Sequence, residues 1–265
     1  MPIVKVLDTH VAYAVNGQGP ALVLVAGTGG NLESNWAHLV APLAAHRTVI
    51  RLDYSGSGET TDPAGELSLN LLSAQVLGAA QAAGADRFDL AGFSLGACVA
   101  AQLAATHPDR VRSLTLLAGF PHGQSPRMRM QSELWLNLIR NDPHDFARLI
   151  LLTGFSPAFL DRMDETQLAQ WADAVVVSNR WEGITRQIML DMRLDIRALL
   201  PRITAPTLVI GCAHDAMVPK AHARALADAI PDARYAELDS GHLAPFEQPE
   251  AFLDLLTTFI DTPRG

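Results

Sequence analysis

The chain has 265 residues, of which 49% are hydrophobic and 18% are charged. This composition provides enough apolar side chains for a buried core and excludes a disordered chain, which would combine low hydrophobicity with high charge. The 28 acidic residues outnumber the 20 basic ones and give a net charge of −8. An acidic chain without a run of lysine or arginine is unsuited to nucleic acid or to an anionic membrane surface, so we expect neither as a partner.

The cysteine content and the hydrophobic runs indicate a cellular location. The two cysteines, Cys98 and Cys212, form no CxxC pair and cannot supply a disulfide framework, which is typical of a reducing cytosol. No apolar run approaches the roughly 18–20 residues that span a bilayer. Residues 1–5 lack the basic start and the continuous apolar segment of a secretion signal. The sequence therefore predicts a cytoplasmic protein.

Short apolar runs of strand length alternate with helical patterns along the chain. In chain order, strands are predicted at 3–7, 11–15, 21–26, 48–52, 88–91, 112–117, 207–210 and 235–238, and helices at 67–83, 95–107, 220–229 and 249–261. The first two strands read as an antiparallel hairpin. Continuous apolar runs such as 21–26 are typical of strands that are covered on both faces. The alternation predicts an α/β fold with a mostly parallel, doubly wound sheet.

One long segment interrupts this alternation. Residues 120–202 contain no convincing strand, only helical patterns that are rich in Leu, Ile, Met, Trp and Phe. A segment of this length is too long for a normal connection, so it is expected to be a folded insertion. We predict a core domain formed by 1–119 and 203–265, with 120–202 as a helical cap over the ends of the strands.

A G-x-S-x-G pattern at 92–96 supplies a candidate nucleophile, Ser94. It follows a predicted strand and opens a predicted helix, which is the strand–turn–helix setting that exposes a serine hydroxyl on a strained turn. A serine hydroxyl is a weak nucleophile unless a base removes its proton, and a third group must orient that base. The pattern therefore predicts a histidine and an acid elsewhere in the chain.

The candidate base is His242, which stands in a loop directly after the last predicted strand. His122 and His214 also follow strands and are the alternatives. The candidate acid is Asp215, in the loop after the penultimate strand, because the order serine, acid, histidine along the chain then matches a known hydrolase arrangement. Asp239 lies too close to His242 in sequence to be the first choice.

Two backbone N–H groups are needed to stabilise the negative oxygen of a tetrahedral intermediate. One candidate donor is the N–H of Leu95, at the start of the helix that follows Ser94. The other is expected in the glycine-rich loop 27–30, where we favour Thr28 over Gly29.

Several stretches of the chain match motifs of one enzyme superfamily. They are the loop 27–30, the loop 53–58, the elbow 92–96, the loop around Asp215, and 241–250. Together they make the whole chain resemble the α/β-hydrolase superfamily, in particular its capped esterases, lactonases and haloperoxidase-like enzymes. The resemblance implies the α/β-hydrolase fold, with an antiparallel N-terminal hairpin and an inserted helical cap.

Two positions depart from the pattern of that superfamily. Ala26 precedes Gly27 where relatives often have a histidine, and Ala97 stands where many relatives have a second glycine. The resemblance also implies a structural role for Asp53, whose loop supports the end of a strand.

The resemblance implies a serine hydrolase that cleaves an ester, a lactone or a thioester, in preference to an amide, through an acyl-enzyme. The sequence has no HExxH, clustered HxH or Walker-type loop, so neither a metal nor a cofactor is expected. The expected partner is a small-molecule substrate with an apolar part. The residues that we expect to contact it are Gly29, Phe93, Met130, Trp135, Phe155, Trp181 and Met189.

Two other functions fit the same residues. Related folds in bacterial natural-product pathways act as lyases or cyclases, for example by eliminating acetate from an acylated intermediate. Mass spectrometry of the product distinguishes hydrolysis, which adds water, from such an elimination. A binding protein without turnover is the other alternative, and release of nitrophenol from a short-chain ester would exclude it.

Overall fold

The predicted α/β architecture is confirmed by a computed structural model, which describes residues 1–262. The last three residues of the predicted core range lie outside the described part. The strands are β1 (Ile3–Val6), β2 (Thr9–Asn16), β3 (Ala21–Val25), β4 (Thr48–Leu52), β5 (Phe88–Phe93), β6 (Val111–Leu117), β7 (Thr207–Cys212) and β8 (Ala233–Leu238). They form one eight-stranded sheet in the order β1-β2-β4-β3-β5-β6-β7-β8.

The helices lie between the strands and after the last one. They are α1 (Ala37–Ala44), α2 (Leu69–Ala82), α3 (Leu95–Thr106), α4 (Pro126–Asn141), α5 (Pro143–Gly154), α6 (Pro157–Leu160), α7 (Glu165–Ser178), α8 (Trp181–Asp191), α9 (Lys220–Ala229), α10 (Ala244–Glu247) and α11 (Pro249–Asp261). Helix α1 has no counterpart among the predicted elements. It carries Pro42 inside only eight residues, which weakens its helical signal.

Strands β3 to β8 run parallel to one another. Strand β2 pairs antiparallel with β1, as the N-terminal hairpin predicts, and also antiparallel with β4. Successive residues of β3 point to opposite faces: Leu22 and Leu24 join one apolar cluster, and Val23 and Val25 join the other. Both faces of the sheet are therefore covered, which explains the continuous apolar runs. The carboxyl ends of the parallel strands share one edge, so the loops that follow them meet there.

Helices α4 to α8 occupy the chain between β6 and β7. Side chains of Ser125, Asp142, Ser156 and Asp164 accept hydrogen bonds from the first turns of α4, α5, α6 and α7, which explains where these helices begin. The helices contribute two apolar clusters of their own. The division into a core and a cap domain at 120–202 stays a prediction. Within residues 1–262, no helix has the length and apolar character that a bilayer span requires.

Candidate active site

Ser94 stands on a strained turn between β5 and α3. Its φ of 55° and ψ of −120° lie in a region that residues with a side chain rarely adopt. The N–H of Ser94 donates to the carbonyl of Leu117, at 2.9 Å, and this bond holds the turn against β6. The side chain is 9% exposed, so the hydroxyl sits at the end of the strand with limited access.

The two glycines of the motif allow this turn because other backbone segments lie against them. A Cβ atom on Gly92 would stand 2.2 Å from the carbonyl oxygen of Gly96, and one on Gly96 would stand 2.4 Å from the carbonyl oxygens of Val25 and Ala26. Backbone atoms at these distances must move to admit a methyl group. The glycines are therefore required by the close approach of α3 to β3 and β5.

We expect Gly96→Ala to lower the free energy of unfolding by about 3 kcal/mol, the upper end of the usual cost of overpacking, because the added methyl group would meet backbone atoms and not flexible side chains. Urea denaturation measures the loss. Gly84→Ala is the matched control: its φ of 78° is strained for alanine, but no atom lies within 4 Å of the added methyl group. A cost for Gly96→Ala no greater than that of the control would contradict the packing argument.

His242 lies in the loop after β8, and its side chain contacts the turn at Ser94. Its Nε2 atom is 3.0 Å from the Ser94 hydroxyl oxygen. The ring packs against the Phe93 ring, with 5.0 Å between their centroids. The loop is fixed by the N–H of Gly241, which donates to the Glu247 carboxylate at 3.0 Å. The His242 side chain is 6% exposed and therefore has little freedom to turn away.

Asp215 lies on the other side of the imidazole, in the loop after β7. One carboxylate oxygen is 2.7 Å from Nδ1 of His242. The other accepts the backbone N–H groups of Met217 and Val218, at 2.9 and 2.7 Å. Because a carboxylate only accepts, Nδ1 carries the hydrogen and Nε2 is free to accept from the Ser94 hydroxyl. The geometry thus permits proton transfer from serine to histidine.

The alternative residues lie elsewhere. His214 and Asp239 are exposed and pair with each other at 2.8 Å. His122 lies beside His222, with 6.0 Å between the ring centroids, and forms an isolated bridge with Asp195. In the structure, neither alternative histidine hydrogen-bonds to Ser94.

The hydrogen bonds of the loop 27–30 distinguish Thr28 from Gly29 as an oxyanion donor. The N–H of Gly29 donates to the side chain of Gln187 at 2.8 Å, and that of Gly27 donates to Asn35 at 2.9 Å. Among the described residues, the backbone N–H of Thr28 has no hydrogen-bond acceptor. The same holds for the N–H of Leu95. These two groups therefore have no acceptor within the described protein, and their role as oxyanion donors stays a prediction.

Helix α8 is hydrogen-bonded to the loop 27–30 through two of its side chains. Gln187 accepts from Gly29 and donates to the backbone of Ser55 and the hydroxyl of Ser57, at 3.2 and 2.9 Å. One turn further, Asp191 accepts from the Thr28 hydroxyl at 2.6 Å. Burial raises the pKa of Asp191 to about 7, although the hydrogen bond from Thr28 opposes that rise. The position of the loop therefore depends on two polar side chains of α8.

A cavity of about 390 Å³ lies between this loop and helices α4, α5, α7 and α8, with Ser94 and His242 in its wall. Its lining is mostly apolar, and His242 and Asp191 are its only titratable side chains among the described residues. The aromatic residues that line it are Phe93, Phe120, Trp135, Phe146, Trp171 and Phe246. Such a cavity suits a small, largely apolar molecule.

Of the residues expected to contact substrate, the structure places Gly29, Phe93 and Trp135 in the cavity wall. Met130 is 68% exposed and Met189 is 44% exposed. Each lies on the outer face of its helix. On α4 the cavity-facing residues are Met128, Gln131, Ser132 and Trp135, at the spacing of one helical face, and Met130 is not among them.

The other two expected contacts, Phe155 and Trp181, pack between helices instead of lining the cavity. Phe155 is 1% exposed and stacks on Phe159, with 4.7 Å between the ring centroids. Trp181 packs edge-on against Phe146, at 5.8 Å. Both belong to the apolar clusters that hold the helices together.

Asp191, Gln187 and Asn179 were not among the predicted site residues. The sequence contains a signal for Gln187 and Asp191. On α8, the apolar residues Ile184 and Ile188 define a buried face, and Gln187 and Asp191 fall on that face. A polar residue at a core position needs a partner or a function, so this pattern could have identified them. Within residues 1–262, no cluster of His, Cys, Asp or Glu could hold a metal ion.

Comparison with known proteins shows the family of the chain. A family model described as alpha/beta hydrolase fold matches residues 20–249. Pyrrolizixenacetamide deacetylase of Xenorhabdus hominickii is 46% identical over 257 residues, which cover 97% of each chain. The crystal structure of the enol-lactonase from Burkholderia xenovorans LB400 superposes with a TM-score of 0.88 at 30% identity, covering 98% of this chain and 100% of that one.

A provisionally named carbamate hydrolase, RutD of Azorhizobium caulinodans, is 29% identical over 267 residues, covering 98% of both chains. The family model and the relatives extend over nearly the whole sequence, across the sheet, the turn at Ser94 and the helices between β6 and β7. The chain therefore belongs to the alpha/beta hydrolase fold family and is a hydrolase.

Proposed function

We propose that the protein hydrolyses a carboxylic acyl derivative of a small apolar molecule, with Ser94 as nucleophile, His242 as general base and Asp215 as the orienting acid. The observation that carries this proposal is the chain of hydrogen bonds in the cavity wall. It runs from the Ser94 hydroxyl to His242 at 3.0 Å and from His242 to Asp215 at 2.7 Å.

The proposed reaction has two halves. Nε2 of His242 takes the hydroxyl proton while the serine oxygen attacks the carbonyl carbon, and the N–H groups of Thr28 and Leu95 bind the resulting oxyanion. His242 then gives its proton to the leaving group as the bond to carbon breaks, which leaves an acyl-enzyme. Water, activated by the same histidine, releases the acid and restores Ser94.

The substrate class follows from the cavity and from the relatives. A mostly apolar cavity of about 390 Å³ admits a small molecule with little charge. The names of the relatives refer to an acetamide and to an enol-lactone. We therefore include amides beside the esters, lactones and thioesters that the sequence predicts. Free buried thiols at Cys98 and Cys212 support the proposed cytoplasmic location.

A fluorophosphonate tests the nucleophile, because it reacts with an activated serine and remains attached. We expect intact-protein mass spectrometry to show a single adduct, and peptide mapping to place it on Ser94. Ser94→Ala is expected to take up no label. Labelling at another residue, or none in the wild type at conditions where esters turn over, would contradict the proposed role.

The fate of water separates hydrolysis from the lyase and cyclase alternatives. Turnover in oxygen-18 water is expected to place one heavy oxygen in the released acid, since water cleaves the acyl-enzyme. An elimination releases a carboxylic acid without taking up water, so its products would stay unlabelled. A cyclisation would give a product with no added oxygen at all.

A further inference from the structure

Two hydrogen-bond acceptors in the cavity wall have no partner in the structure. They are Oδ1 of Asp191 and Oδ1 of Asn179, each buried and without a donor among the described residues. Both residues line the cavity that contains Ser94. A buried acceptor without a donor is unfavourable and uncommon, so a donor is expected from the molecule that fills the cavity.

Both acceptors lie beside the loop that carries the proposed oxyanion donor. Oδ2 of Asp191 is 2.6 Å from the Thr28 hydroxyl, so its free Oδ1 is held next to that loop. Asn179 Oδ1 lies 2.8 Å from where a Cβ of Gly29 would stand. Gly27, two residues before Gly29 in the same loop, approaches the Ser94 side chain: a Cβ atom on Gly27 would stand 3.1 Å from Ser94 Cβ. The acceptors therefore border the place where a reacting carbonyl group would lie.

Within residues 1–262, no cationic side chain occupies this place. The residues that line the cavity include no lysine and no arginine. The titratable groups that face the Asp191 carboxyl are the phenol of Tyr54 and the thiol of Cys98. Burial raises the pKa of each well above its ordinary value, so both stay neutral at pH 7. In the described part of the chain, the only hydrogen-bond partner of this carboxyl is the Thr28 hydroxyl, which occupies one of its two oxygens.

Helix α4 adds no charge on its side. It presents Met128, Gln131, Ser132 and Trp135 to the cavity, and none of these side chains titrates. His242 is the other titratable group in the wall, and it is engaged between Ser94 and Asp215.

We propose that Asp191 accepts a hydrogen bond from the substrate N–H group and thereby makes the site select an amide over the matched ester. This inference rests on the proposed function, since it concerns the bond that Ser94 attacks. An ester has an oxygen with lone pairs where the amide has its N–H. Bound in the same pose, the ester would leave Oδ1 of Asp191 without a hydrogen-bond donor. The ester oxygen, itself an acceptor, would then face this carboxylate oxygen.

The reaction gives this hydrogen bond a second role. For the carbon–nitrogen bond to break, the nitrogen lone pair must receive the proton that His242 holds, and the amine leaves with that proton. The N–H must then point away from His242. An acceptor at Asp191 holds it in that direction, which presents the lone pair to Nε2. Asp191 is thus a specificity-determining residue for the leaving group.

The test uses N-(2-naphthyl)acetamide and 2-naphthyl acetate, which share one acyl group and one aromatic ring system. Asp191→Leu keeps the approximate shape of the side chain and removes the acceptor. We expect it to lower kcat/KM for the amide by about tenfold to a hundredfold relative to the ester, the usual effect of losing a hydrogen bond to a charged group. Thermal denaturation establishes that the variant is folded.

Thr28→Val is the matched control, because it removes the hydroxyl that binds Asp191 but leaves Oδ1 and the backbone N–H in place. Thr28→Val is expected to change kcat/KM for the amide and for the ester by the same factor. An amide-to-ester ratio that is unchanged in Asp191→Leu would overturn the inference. So would a ratio that falls equally in Thr28→Val, since the position of the loop would then explain the selectivity.

A second measurement needs no variant. The carboxylate form of Asp191 accepts the hydrogen bond, so the amide-to-ester ratio of kcat/KM in the wild type is expected to rise with pH through about 7. Taking the ratio cancels any pH dependence that the two substrates share. A ratio that is flat between pH 5.5 and 8.5 (an interval of about 1.5 on either side of 7) would overturn the inference. Loss of all turnover in Ser94→Ala, with fluorophosphonate labelling of the wild type, upholds the proposed function independently of either result.

Discussion

Replacing Ser94 with alanine is expected to lower kcat for 2-naphthyl acetate on the order of a million-fold, the loss seen when a serine nucleophile is removed from such a site. The hydroxyl oxygen forms the bond to the acyl carbon in the proposed mechanism, and no other nucleophile stands 3.0 Å from Nε2 of His242 in the structure. Fluorescence of the released naphthol measures the rate, and the thermal midpoint is expected to stay near that of the wild type.

Ser73→Ala is the matched control for this experiment. Ser73 is also buried, but its hydroxyl donates to the carbonyl of Asn70 within α2, and neither residue lines the cavity. We expect it to retain wild-type turnover. If Ser94→Ala kept a substantial fraction of its activity while remaining folded, the acyl-enzyme mechanism would have to be abandoned.

Asp215→Asn is expected to lower kcat about ten-thousand-fold, as replacing the acid of such a triad does in serine proteases. The amide oxygen can still accept the N–H groups of Met217 and Val218, which bind Oδ1 of Asp215. The amide NH2 would then face Nδ1 of His242. Since the NH2 is a donor, Nδ1 must accept, and the imidazole hydrogen is then on Nε2. In that tautomer His242 cannot take the proton of Ser94.

The control for the acid is Asp239→Asn, which changes the exposed carboxylate that pairs with His214. Its kcat is expected to stay within about twofold of the wild type, because exposed ion pairs contribute little. Equal losses in the two variants would show that net charge near the site matters, and that the contact of Asp215 with His242 does not.

The turn at Ser94 and the positions of Asp215 and His242 could be predicted because local rules specify them. Glycines at 92 and 96 mark a close backbone approach, and parallel strands bring the loops after β5, β7 and β8 to one edge of the sheet. These features depend on chain order and on strand ends, which the apolar runs reveal. The roles of these residues in catalysis are what the variants test.

The cavity wall was harder to predict, because it depends on how helices rotate against each other. Trp135 and Met130 lie on the same helix, yet only Trp135 faces the cavity. Composition identifies the apolar residues of α4 but not the face that the other helices cover. Likewise, Gln187 and Asp191 meet the loop 27–30 from about 160 positions away in the chain, a contact that no local pattern specifies.

The hydrogen bonds between α8 and the loop 27–30 limit which segments of this protein can be replaced by those of a relative. Gln187 accepts a hydrogen bond from Gly29, and Asp191 accepts one from Thr28, so helix α8 lines the cavity and also positions the loop that carries the proposed oxyanion donor Thr28. A chimera that grafts the helices of a relative onto this sheet would carry over new selectivity only if its own residues restored both attachments. Diversification of substrates within this scaffold is therefore constrained at positions 187 and 191, while the outward faces of the same helices are free to vary.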